Sequence, residues 1–414
     1  MLKGIAAAVI VAVLLAGGFA LVRWRQEATA GTGPVASATA PEGPTREIAF
    51  VSNAVGGTVS LVDVAARQII GEIDIIPDGA KVGVFRDWNQ ALIGQPGIEG
   101  RSGLNRAQDT DLSPDGRVLY VARGHMGDVA AFDIATGALM WRVPIAGPRA
   151  DHMTITPDGR RLFVSALLAN QVEVIDTTTA RKVGGFVAGA WPHDNHMSYD
   201  GARLYNASIG NMGLPLDQRD NVEEPTDEAG YAYQVTVVDP DSLEVLARHR
   251  FDKGVRPIAL TADETMLFAQ QSNTHDVIAY DLEASAVVQR LSLPVAHGVT
   301  EDDWDFESPH HGLALTPDGR TLCIAGRASD YVGLVAAPDL ALIATVPAGD
   351  APSWSEIAGN GEVCVVANSR SDDVSIVSIA ERTEIARLPA GRGPKHITVG
   401  QVPESVLAAF SGES

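Results

Sequence analysis

The chain has 414 residues, of which 45% are hydrophobic and 20% charged, and its 52 acidic against 31 basic side chains leave a formal net charge of −21. This supports a sizeable core, with length alone allowing two or three domains. It excludes a nucleic-acid partner, because phosphate recognition needs a basic face, and it favours solubility or a cationic or metal partner.

Residues 4–22 are uninterrupted apolar, flanked by Lys3, Arg23 and Arg25. Such a run just spans a bilayer core of roughly 30 Å. A cleaved signal would have a shorter apolar core of about 7–15 residues followed by small residues, whereas Arg23-Trp-Arg25 follows here. An uncleaved membrane anchor is therefore expected over residues 1–25. Its basic flanks are balanced and do not fix orientation. Residues 26–45, rich in Ala, Gly, Pro, Ser and Thr, read as a flexible tether.

From Ile48 onward the pattern changes to short alternating runs bounded by Gly, Pro, Asn and Asp, the signature of strands joined by tight turns. The clearest unit runs from Ala150 to Val187: three runs, a Pro-Asp-Gly turn, a polar bend, and a fourth run from Lys182. The unit recurs roughly every 42 residues. Its turn signals are Ser113-Pro-Asp-Gly116, Thr156-Pro-Asp-Gly159, Ser198-Tyr-Asp-Gly201, Thr261-Ala-Asp-Glu264, Thr316-Pro-Asp-Gly319 and Ala358-Gly-Asn-Gly361, each followed by a second-strand run such as Leu119-Tyr-Val or Leu162-Phe-Val. Third strands end in Asp133, Asp176, Asp239 and Asp281. A seventh unit is split. The chain enters on a second strand, Ile48-Ala-Phe-Val-Ser-Asn53, and the first strand is supplied from the tail by Gly393-Pro-Lys-His-Ile-Thr-Val-Gly400. Such closure removes the exposed edges of a ring. The expectation is an all-β, seven-bladed β-propeller over residues 46–403, closed by the C-terminal strand, with a short tail at 404–414.

The repeat resembles the YVTN family of β-propellers, through second-strand signatures such as Val365-Val-Ala-Asn368. The resemblance implies the fold over about residues 46–400. It does not choose a function, since that family includes enzymes, binding proteins and surface proteins.

Three long insertions interrupt the rhythm at 78–106, 209–230 and 296–308. In a four-stranded meander, loops between strands two and three lie on the same face as the links between blades, so all three insertions fall on one face. Long loops in a compact domain usually carry function. The acidic stretch Asp302-Asp-Trp-Asp-Phe-Glu307 reads as a solvated loop or as a lid contributing Trp304. His125 and His275 read as surface turn residues on the same face.

Aligning first strands on their turns puts Leu112, Ile155, Met197, Leu260, Leu315, Ile357 and Val399 in one apolar slot that packs between blades. By strand alternation, the opposite slots line the central channel: Asp109 and Asp111, His152 and Thr154, Asp194 and His196, Pro257 and Ala259, Gly312 and Ala314, Trp354 and Glu356, His396 and Thr398. His193, His310, His311 and Arg256 precede their strands, at the mouth on the insertion face. Converging imidazoles and carboxylates suit a transition metal: copper, zinc or iron. The expected metal set is His152, His196, His396 and His311, with Asp194, Asp111 and Glu356 as ligands or as carboxylates orienting them. His193 and His310 are expected to exchange protons, and Arg256 to hold an anionic substrate.

Trp191-Pro-His-Asp-Asn-His196 and Ser308-Pro-His-His311 resemble the histidine-bearing loops of copper-containing propellers of the nitrous oxide reductase kind, and the layout of residues 191–239 is similar to copper-dependent methanethiol oxidases of the selenium-binding type. The chain lacks the seven-histidine set and cupredoxin domain of the former and the several cysteines of the latter, so neither reaction carries over. Cys323 and Cys364 occupy different registers of their second strands, which would aim them at opposite faces. Packed thiols rather than a disulfide are expected.

The functional expectation is a metal-binding propeller, a metal-dependent oxidoreductase held at the inner membrane by its single N-terminal span and facing the periplasm or exterior. The rivals are a non-catalytic scaffold that holds a protein partner on the insertion face, and a propeller lyase or lactonase.

Overall fold

The computed structural model describes residues 40–80, 104–147, 149–212 and 233–410. The anchor expected at 1–25, most of the tether, and the bulk of the first two insertions lie outside the described residues. Among the described residues no helix is long and apolar enough to cross a membrane.

Seven four-stranded antiparallel sheets follow one another along the chain. Their first strands are Asp109–Leu112, Ala150–Ile155, Pro192–Met197, Val255–Leu260, Leu313–Leu315 and Pro352–Ala358 in blades 2 to 7, and Pro394–Pro403 in blade 1. Consecutive first strands are neighbours around a closed ring. Blade 1 is the composite: Pro394–Pro403 pairs antiparallel with Thr45–Asn53, setting Val399 against Ala49 and Ile397 against Val51.

The repeated sequence signals have direct local causes. In the Ser/Thr-x-Asp-Gly turns the hydroxyl donates to the aspartate, at 2.6 Å from Ser113 to Asp115 and from Thr156 to Asp158. The closing glycine takes a positive φ, +67° at Gly116 and +71° at Gly159, which a residue with a Cβ rarely adopts. The third-strand aspartates accept the backbone N–H three residues on, at 2.8 Å for Asp133 and 2.7 Å for Asp176 and Asp281, fixing the hairpin to the outermost strand.

Seven apolar clusters lie one at each blade interface, and a small eighth gathers Leu167, Trp191 and Ile209. The predicted packing slot is filled as expected, since Leu112, Ile155, Met197, Leu260, Leu315, Ile357 and Val399 fall one into each interface cluster. Each blade thus buries both faces against its neighbours, which a lone four-stranded sheet cannot do.

The cysteine expectation is overturned. Cys323 and Cys364 form a disulfide, with Cα atoms 6.4 Å apart. They do point to opposite faces of equivalent strands, but in adjacent blades. The leading face of blade 6 meets the trailing face of blade 7, so opposite registers bring the two sulfurs together within one interface cluster.

Candidate metal centre at the channel mouth

Five of the seven first strands begin with a register irregularity: between Ala150 and Met153, Pro192 and Asp194, Val255 and Ile258, Pro352 and Trp354, and next to His396. A bulge adds a residue and re-aims side chains. Where strict alternation would offer one channel residue per blade at this level, two consecutive residues can face the mouth. His193 therefore joins His152, with ring centroids 4.4 Å apart, and His311 lies 5.4 Å from His193 and 6.3 Å from His152.

Two overlapping ligand groups result. His152, His193 and His311 place one donor atom each within 4.8 Å of one another, and so do Asp109, His152 and His396. All five side chains are buried. A tetrahedral ion with bonds of about 2.1 Å separates its ligand atoms by roughly 3.4 Å, so each group is somewhat more open than a closed site. His311 points its Nδ1 at the carbonyl oxygen of Ser353, 2.8 Å away. With a proton there, Nε2 keeps its lone pair, the orientation that ligating histidines take. The Nδ1 atoms of His152 and His396 face the Asp109 carboxylate at 3.3 and 2.7 Å, whereas Nδ1 of His193 has no hydrogen-bond partner among the described residues. Buried polar atoms are rarely left unsatisfied. Imidazoles drawn from four blades, with His193 and His311 held neutral and the His193 Nδ1 unpartnered, fit a transition ion.

The surroundings set the charge. Burial holds the His193 and His311 imidazoles well below their ordinary value, and the cations Arg256 and Arg149 or Arg327 add to it. Burial also lowers His396, against the pull of Asp109. His152 is different. Burial disfavours its proton, but Asp109 at 3.3 Å, with Asp151 and Asp194, outweighs it and raises the ring above its usual value. Asp109 in turn is held low: burial would raise it, but His396 at 2.7 Å and His152 prevail. Its Oδ2 also accepts the Met153 N–H at 2.7 Å, tying blade 2 to blade 3. Trp354 stacks on His152 at 4.8 Å and 21°.

Not all predicted site residues gather here. His196, Asp111, Asp194 and Glu356 belong to neither group. Asp111, His196 and Glu356 each stand two residues further along the strand, about 7 Å down the channel. Asp194 spends Oδ2 on the Ile258 N–H, at 2.9 Å. Here burial pushes Asp111 and Glu356 up to about 7 and Asp194 to about 6, and lowers His196 to about 4. His310 turns the other way, its Nε2 3.1 Å from His275 Nδ1 and its ring beside Tyr331. His125 and His275 are not surface residues: His125 is buried and accepts the Asn105 N–H at 3.1 Å, and His275 is half-buried against Trp304.

Sequence reasoning passed over Asp109 as a ligand and Asp151, Gln108 and Lys395 as neighbours. The signal was present. The residue just before the channel slot is polar in every blade: Gln108, Asp151, His193, Arg256, His311, Ser353 and Lys395. Strict alternation would bury that position between blades.

The loop 296–308 covers this region. Arg256 donates to the Phe306 carbonyl, Asp305 is held at 3.0 Å by both Arg327 and Arg370, and Asn273 donates its N–H to the Glu307 carbonyl at 2.8 Å. Neither expectation for this segment is met as stated: the loop is docked through these contacts rather than solvated, and Trp304 packs on His275 rather than on the imidazole cluster.

No model of a known protein family matches the chain, and no curated protein does. Among solved structures it is similar to the Kuenenia stuttgartiensis hydrazine synthase, at 21% identity and a TM-score of 0.60 over 86% of this chain and 98% of that one. At this identity the likeness concerns the fold alone, and the chain is a β-propeller of seven blades.

Proposed function

We propose that this is a metal-binding propeller of the YVTN type, tethered to the inner membrane by residues 4–22, facing the periplasm or exterior, and acting as a metal-dependent oxidoreductase. The observation that carries the metal reading is the convergence of His152, His193 and His311 from three blades within 4.8 Å, with the buried Nδ1 of His193 left unsatisfied. His152, His193 and His311 would hold the ion, with Asp109 and His396 at its side. A bound copper, zinc or iron would supply Lewis-acid or redox chemistry. This chain's own residues bury the site, hold His311 through Ser353, and keep His193 and His311 neutral. The Cys323–Cys364 disulfide supports an oxidising compartment. The insertion face, where the site opens, is also where we place any protein partner.

Metal analysis of the purified full-length chain tests this. One equivalent of copper, zinc or iron is expected to survive dialysis and to be lost in the His152→Ala, His193→Ala double variant. A folded wild type that retains none of the three after loading overturns the reading and leaves the scaffold alternative.

A further inference from the structure

On a chain of net charge −21, the channel mouth is locally basic. Arg256, Arg327 and Lys395, from blades 5, 6 and 1, all reach one residue, Phe306. The Arg256 Nη2 donates to its carbonyl oxygen, the Arg327 guanidinium lies 5.8 Å from its ring centre, and the Lys395 ammonium lies 5.3 Å from it. Phe306 and Glu307 both take positive φ, 52° and 60°, so the loop bends sharply at that point.

The positive charge there is under-compensated. Arg149 is paired with Asp151 at 3.0 Å, while Arg327 and Arg370 share the single carboxylate of Asp305, each at 3.0 Å. Neither Arg256 nor Lys395 has a carboxylate within 4.0 Å among the described residues. Arg256 is only 2% exposed, and the Nε atoms of both Arg256 and Arg327 are buried without an acceptor. Burial lowers Arg256 to about 10 against the pull of the Glu307 and Asp151 carboxylates, with Arg327 and Arg149 adding repulsion, and burial with Arg149 and Arg327 lowers Lys395 to about 7 against Asp151 and Asp305. A buried guanidinium with an N–H left without an acceptor is costly, and its planar fork suits the oxygens of a carboxylate or other oxyanion.

We propose that the channel mouth binds a small anionic ligand bearing a carboxylate or similar oxyanion group, gripped by Arg256, Arg327 and Lys395 beneath Phe306. The acid group would satisfy the free guanidinium N–H atoms and the ammonium. The remainder of the molecule would then lie beside His193 and His311, whose rings are close enough to feel Arg256. That this ligand is the substrate rests on the metal-centre reading; that it binds rests on the cations alone.

Calorimetric titration of the full-length chain with acetate and with inorganic phosphate, at pH 6.5 and fixed low ionic strength, tests it. Saturable binding of at least one of them at one site per chain is expected. Lys395→Met and Arg327→Gln should each weaken it by about tenfold or more, with thermal midpoint and metal content unchanged for Lys395→Met, whose side chain is only half-buried. Arg256→Lys, which keeps charge but not the fork, should weaken it comparably. No saturable binding to folded wild type, or undiminished affinity in the Lys395→Met, Arg327→Gln double variant, overturns the proposal. Metal content measured on the same samples separates the two readings: anion binding without metal removes only the metal centre, and metal without anion binding removes only this site.

Discussion

His152 and His193, on neighbouring blades, hold their imidazoles 4.4 Å apart at 46° in a buried site. Two such rings, one raised and one lowered in basicity by what surrounds it, are not a packing contact that apolar residues could not make more cheaply. His152 also belongs to the second group, with Asp109 and His396, so substitution can tell the groups apart. His152→Ala is expected to abolish metal retention. His193→Ala and His396→Ala should differ, the former losing the ion and the latter keeping it with affinity reduced by about 10–100-fold, as for a supporting residue. The reverse order would move the centre to Asp109, His152 and His396.

The Cys323–Cys364 bridge closes a loop of separation 41 between blades 6 and 7. A loop of that size corresponds to about 4 kcal/mol through restriction of the unfolded chain. Denaturant titration of oxidised and fully reduced protein should differ by that order. Thiol titration of the unreduced, unfolded chain should find no free sulfhydryl; two would return the cysteines to packed thiols.

Ring closure depends on the pairing of Pro394–Pro403 with Thr45–Asn53. A chain ending at residue 393 leaves blade 1 without its innermost strand and exposes the edge of Thr45–Asn53 to other chains. Loss of cooperative unfolding, with aggregation seen by light scattering, is expected. A monomeric, cooperatively folding truncation would contradict the closure.

Glu356 sits half-buried in the channel, its carboxyl pushed up to about 7 by burial against its bond from the Ile357 N–H, with the Asp194 charge adding. The folded state then binds this proton more tightly than the unfolded chain, whose glutamate titrates near ~4.3. Its contribution is fully present below that value and is lost as pH rises towards about 7. Glu356→Gln should remove that slope and raise stability above pH 7 by on the order of 1–2 kcal/mol, allowing for solvent in the channel. A variant as pH-sensitive as the wild type between pH 5 and 7.5 would assign the slope to Asp111 and Asp194 instead.

The repeat, the blade number, the closing strand and the interblade slot are all local periodic quantities. Turn chemistry at Ser113-Pro-Asp-Gly116 and its counterparts, and side-chain alternation with period two, are written residue by residue, so the amino-acid sequence alone determined them. The channel residues His152, His396 and Trp354 followed from the same alternation. What the tertiary structure decided are the events that break or cross it. Bulges at the strand entrances brought His193 in line with His152, and a turn of the Ser308-Pro-His-His311 segment sent His310 to His275 while His311 reached Ser353. Alternation counts residues within one strand and carries no distance between blades. The two-residue offset that sets Asp111, His196 and Glu356 below the mouth is a within-strand quantity, but only packing around the ring could bring His193 and His311 up to His152, and only packing could set Cys323 facing Cys364.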